Sequence, residues 1–459
     1  MSLDRDLGGA IAATRFGLGA RPGEIASARS DPRGFLLDQI SLRGADLAVP
    51  DGQSSTQRLA ELGAYQRDRK LALATGDAKS DPVKMAAKLI RDDAGTDFLA
   101  RVQLGVKTDA GFRERWALFW ANHFTVSAGK LNTATLVGPF EQEAIRPYVF
   151  GRFEDMLFAS SSHPAMLLYL DQAQSVGPNS DLALLAQRAG KHPGLNENLA
   201  REILELHTVG VDAGYSQADV TEFARAMTGW SLGRTDHPED PQGFLFRPHA
   251  HEPGARTIMG KRYGEDGQAQ ARAVMADLAA SPHTARHLST KIARHFVSDD
   301  PPPALVDRLT KTYLASGGRL DEVAATLIRS PEAWDPRASK FKTPYEFMIS
   351  SWRATDTAPT DVAQVAKTLN EMGQKPFSAP SPKGWPEEAP AWCAPDAVVK
   401  RMTWSEGFAQ GLSDRDPMQL ADNALGARLS PLAAKTIARA ETRPEAVTIL
   451  LMSPEFQRR

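Results

Sequence analysis

Apolar residues recur along the chain mainly at three- and four-residue intervals, the helical pattern rather than the alternating one. The reading is an all-α protein, a single large multi-helix domain over 1–459 of packed antiparallel helices, with sub-units at 1–170, 195–356 and 376–459. Phe98, Phe112, Trp116 and Phe119 predict a helix over 97–124. Further helices are expected over 134–158 (broken near Pro147), 195–209, 216–229, 267–297, 303–316, 320–330 and 342–356, and in four stretches after 393. Ser216 followed by Asp219 has the spacing of a capping box. Residues 172–197 are poor in apolar side chains and hold Gly177, Pro178, Gly190, Pro193 and Gly194, which predicts a loop or lid. The helical pattern also breaks over 231–266. There Phe244 and Phe246 alternate and Ile258 lies between glycines, so a small β-hairpin excursion is expected near 240–262. Pro376, Pro380, Pro382, Pro386 and Pro390, with Trp385 and Trp392, predict a loop pinned by aromatic rings.

Composition narrows the function classes. At 459 residues, with 42% hydrophobic and 24% charged, the chain can bury a large core. Lys and Arg total 54 against 56 Asp and Glu, a net charge of −2 that offers no global field for nucleic acid or an anionic membrane. No apolar run reaches the roughly 18 residues of a membrane span. Asp4, Arg5 and Asp6 stand where a secretion signal needs its apolar stretch. As written the chain reads as cytoplasmic, with a periplasmic home open if its start is trimmed. A single cysteine, Cys393, excludes an internal disulfide and a multi-thiolate metal site, and beside Trp392 it reads as buried packing.

The densest polar segment is Asn196 to His207. At about 100° per residue, Asn198, Arg201, Glu202 and Glu205 fall in one stripe of a helix, and His207 points nearly opposite. Such a stripe is either a solvated face or the wall of a cleft. In a cleft, Arg201 holds one carboxylate ionised and like-charge repulsion raises the pKa of the other. Two groups on one helix face do not flank a bond from opposite sides, so a further carboxylate is needed, and Asp171 is the candidate. His123, in the Trp120–Phe124 cluster, reads as a structural histidine or as an acid/base group facing the acidic stripe. Asn122 would complete the site, and Trp120 and Trp230 could offer stacking surfaces or pack in the core. His283, His287 and His295 lack the neighbouring glutamate of a zinc helix, so neither a metal nor a cofactor is expected.

Several phrases together resemble the bacterial family catalogued as domain of unknown function 1800. They are Arg15–Gly19, Trp120–Phe124, His163–Asp171, Asn196–His207, Gly214-Tyr215, Ala224–Trp230 and Gly384-Trp385. The resemblance spans nearly the whole chain. It implies no established activity. It implies genes adjacent to those of a family with a sulfatase-like fold, and frequent export. Two functions are therefore expected as alternatives. One is a hydrolase or lyase acting on a glycan or other polyhydroxylated substrate, with Glu202, Glu205, His123 and Asp171 catalytic and Asn122, Asn198, Arg201, Trp120 and Trp230 binding. The other is a non-catalytic binding or maturation partner of the sulfatase-like protein.

Overall fold

The computed structural model describes residues 4–74, 81–233, 240 and 243–459. It is an all-α assembly with two small antiparallel hairpins, Trp230–Leu232 with Phe244–Phe246 and Arg256–Ile258 with Lys261–Tyr263. Residue pairs Trp230/Phe246 and Leu232/Phe244 set the first register, and Ile258/Lys261 closes the second. The second turn holds Met259 and Gly260, both at positive φ, as a two-residue turn of matching twist requires.

Two apolar clusters form the interior. The first gathers residues from the N-terminal and central helices around Phe16, Phe112, Trp116, Trp120, Phe153 and Trp230. The second is built by helices between Pro344 and Gln457, together with Leu18, Phe98, Val102 and Val106 from the N-terminal part.

Departures from expectation include two elements and one residue. The helix foreseen over 97–124 is two helices, Asp81–Lys107 and Gly111–His123. Buried Arg353 causes the break, because its guanidinium takes the terminal carbonyls of Gly105 (2.9 Å), Val106 (3.1 Å) and Thr108 (2.9 Å). Gly111 then passes so close to Gly17 that an added Cβ would sit 3.3 Å from its Cα. The supposed loop 172–197 contains the helix Asp181–Arg188, N-capped by Ser180. Leu182, Leu184 and Leu185 face outward, so this helix has no buried leucine stripe to mark it in the sequence. Cys393 is exposed rather than buried, while its neighbour Trp392 is the ring that packs, 6.0 Å from Trp385.

Candidate functional site

The acidic segment forms a short helix, Asn198–Glu202, which widens into a π turn, Ile203–His207. Such widened turns collect at functional sites. Leu199, Ala200, Ile203 and Leu204 are fully buried, whereas Arg201, Glu202 and Glu205 are half-buried and Asn198 is exposed. Arg201 bridges Glu197 (3.1 Å) and Glu205 (3.6 Å) and donates to Gln217 (2.9 Å). The Tyr215 hydroxyl also bonds Glu205, and burial with that bond pushes the phenol up to about 12. Glu202 has a different environment. Burial first and the Glu205 charge second raise its pKa, against a smaller opposing pull from Arg201. Glu202 in turn raises Tyr169, whose own burial is the larger cause.

Asp171 lies in a shallow depression with Gln174, Asn196, Glu197 and Asn198. Its backbone is left-handed, at φ 55°. Asn196 fixes this turn by donating to the carbonyls of Leu170 and Asp171, both at 3.0 Å. Lys130 meets both Asp171 carboxylate oxygens at 2.9 Å. Asp171 and Asn198 therefore share one surface feature, reached from two different segments.

The remaining expected site residues lie elsewhere. His123 is 1% exposed and does not face the acidic stripe. Its Nε2 donates to the His207 carbonyl (3.2 Å), and its Nδ1 receives the Lys291 ammonium (2.9 Å). His287 likewise donates to the Leu206 carbonyl (3.1 Å). The two imidazoles thus cap the last carbonyls of the π turn, which no backbone N–H can reach. Burial keeps both rings neutral. His287 falls to about 4, and His123 lies well below its ordinary value, with the Lys291 charge adding to the effect. Lys291 is itself lowered to about 8, chiefly by burial. Asn122 uses its side-chain amide on the Trp385 backbone, donating to its carbonyl (3.0 Å) and accepting from its N–H (2.8 Å). Gly384 must be glycine there, since a Cβ would fall 2.4 Å from the Asn122 carbonyl oxygen. Trp120 and Trp230 are 0% exposed and belong to the first core cluster, so neither offers a ring to a ligand.

The structure thus brings together Asn198, Arg201, Glu202 and Glu205 on one face, with Asp171 beside Asn198. It adds Tyr169 and Tyr215, which helical spacing alone could not place. Among the described residues, no group of three or more His, Cys, Asp or Glu side chains is arranged to hold a metal ion.

The chain belongs to the family described as protein of unknown function (DUF1800), whose profile matches residues 11–458. No curated protein and no solved structure matches it. Among the described residues, no helix is long and apolar enough to cross a membrane.

Proposed function

We propose that the protein is a hydrolase or lyase for a sugar-containing or otherwise polyhydroxylated substrate, working by carboxylate acid/base chemistry. The observation that carries this reading is the unequal setting of two neighbouring carboxyls. Glu202 is half-buried and pushed toward its protonated form, while Glu205 is held by Arg201 and the Tyr215 hydroxyl. A carboxyl whose surroundings favour its protonated form, beside one bound by a cation, divides the roles of acid and base. Glu202 donates the proton and Glu205 serves as the carboxylate. The Asn198 and Gln174 amides in the depression suit a ligand with many hydroxyls, and Asp171 approaches it from a separate segment.

The test is a screen of nitrophenyl glycosides and polyuronates with the full chain, followed by Glu202→Gln. Turnover that this variant abolishes, with an unchanged circular dichroism spectrum, supports the assignment. Full activity in Glu202→Gln overturns it.

A specific feature favours a second reading, a binding or maturation partner of a sulfatase-like protein. The depression is shallow, and the helix Asp181–Arg188, lying in the chain between Gln174 and Gly194 of its lining, exposes Leu182, Leu184 and Leu185 by 40, 45 and 64%. Charge reversal at Glu205 that leaves co-purification of the two proteins intact counts against it.

A further inference from the structure

A cavity of about 110 Å³ lies where the two cores meet, and it shares no lining residue with the acidic face. A single water needs roughly 10–15 Å³ on this measure, so the space suits an organic molecule of about eight to ten non-hydrogen atoms. Most of its wall is apolar, including Leu18, Phe98, Leu118, Val126, Phe341 and Phe377. Ligand pockets commonly combine such walls with a few polar groups that fix orientation.

The charges of the wall are matched within it. Arg101 pairs with Glu141 (2.6 Å). Arg115 and Arg459 share Glu346, with Arg459 at 2.9 Å. Each also donates to a carbonyl, Arg115 to that of Gly17 (2.6 Å) and Arg459 to that of His295 (2.7 Å). Glu387 accepts from His295 Nδ1 (3.0 Å). Three arginines thus stand against three carboxylates, and Lys375, the remaining cation of the lining, is exposed to solvent. An ionic ligand would lose its hydration without finding a free countercharge among these groups.

His295 leaves a polar atom open. Its Nε2 is buried and has no hydrogen-bond partner. Burial lowers the imidazole below its ordinary value, and the charges that act on it, those of Glu387, Arg459 and Arg115, all belong to the same wall. Against the upward push of burial, His295 and Lys340 hold the Glu387 carboxyl below its ordinary value, so it is ionised. An ionised carboxylate only accepts, so Nδ1 carries the ring proton and Nε2 of the neutral ring is a bare acceptor. A buried acceptor without a partner calls for a donor.

We propose that this cavity binds a small neutral alcohol with an apolar body, its hydroxyl donating to His295 Nε2. The aromatic and aliphatic wall takes the ring or chain, and the paired charges around it turn away anions and cations. The site shares no residue with the acid/base face, so either can stand without the other.

The test is titration calorimetry of the whole protein with four probes that share one ring: benzyl alcohol, benzaldehyde, benzoate and benzylamine. Benzyl alcohol binds saturably at one site. Benzaldehyde, which fills the same space but leaves Nε2 unpaired, binds at least about tenfold more weakly. Benzoate and benzylamine do not bind. His295→Phe removes the acceptor, weakens benzyl alcohol about tenfold and leaves benzaldehyde unchanged. Should that variant not fold, the alcohol-to-aldehyde ratio in the wild-type protein decides the same point. Leu118→Trp fills the space and abolishes binding, and Ala121→Leu does so from another position if the first variant fails to fold. Equal affinity for alcohol and aldehyde, tighter binding of benzoate or benzylamine, alcohol binding that survives either filling variant, an unchanged alcohol affinity in His295→Phe, or no saturable binding at millimolar concentration overturns the proposal.

Discussion

His207 shows how a polar residue can be structural without making a bond. It is 1% exposed, and neither ring nitrogen has a hydrogen-bond partner. Its ring packs 5.0 Å from Phe124 and 5.8 Å from His123, and burial with the Lys291 and His287 charges lowers it to about 3. His207, His287 and His123 are thus neutral in the fold, while the unfolded chain protonates near 6.5. Below that pH the unfolded state binds more protons, so stability is complete above about pH 6.5 and falls progressively toward pH 4 and below. Urea midpoints followed by tryptophan fluorescence between pH 4.5 and 8 should decline on the acid side. His207→Phe should shift that decline to lower pH and change the pH 8 midpoint little, since the backbone carbonyl that His123 uses remains. An acid limb unchanged in this variant would remove His207 from the account. At the same scale, Glu202 differs from Glu205 through its surroundings alone. Tyr215→Phe removes one hydrogen bond from Glu205, and it should lower turnover without altering the fold, read as a change in kcat on the substrate identified with the wild type.

The helix Gln217–Ala226 was the most legible element in the sequence. The Ser216 and Asp219 side chains form the expected reciprocal cap, with Ser216 N–H bonding Asp219 at 2.7 Å. Asp219 also accepts from the Met259 N–H at 2.6 Å, tying the second hairpin to the helix start. Ser216→Ala should therefore cost about 1 kcal/mol. Asp219→Ala loses the cap and the hairpin tether together and should cost more, as compared by urea denaturation at pH 8. Equal losses would show that the tether contributes nothing. The capping motif, the periodic helices and the acidic stripe were readable because each is a local pattern. What escaped was set by distant partners. The break at Thr108 depends on Arg353, and the role of Asn122 depends on Trp385, more than 260 residues away in the chain. His123 shares a helix end with Asn122, yet its ring turns inward to the π-turn carbonyls, a direction that sequence spacing could not give. A lysine within a basic helix reads as solvated, and that hides the buried Lys291 in the sequence.

Across the whole molecule, buried arginines join segments far apart in sequence. Arg15 reaches the carbonyls of Ala333 (2.8 Å) and Arg337, and Arg428 donates to Thr14 (2.5 Å). Arg353 does most of this joining. It sits at 0% exposure on the helix Pro344–Thr355 of the second core. From there it donates to the Gly19 carbonyl (2.6 Å) and to Glu24 (2.8 Å), besides the three carbonyls at the end of Asp81–Lys107. Burial raises the Glu24 pKa, and the Arg353 charge opposes that rise. Removing the cation leaves a buried carboxylate and four carbonyls without their partner. Arg353→Met should therefore destabilise the protein by about 3–5 kcal/mol, the usual loss when one member of a buried ion pair is deleted. Arg353→Lys should recover only a small part, because one ammonium cannot present the five N–H groups of the planar fork in these directions. The comparison is a urea titration read by far-ultraviolet circular dichroism and by tryptophan fluorescence, which report different parts of the molecule. In the wild type the two curves should coincide, as expected of one cooperative unit. In both variants the midpoint should fall, and the curves should separate as the second core loosens from the N-terminal segment. A lysine variant with the wild-type midpoint would show that the fork geometry is dispensable.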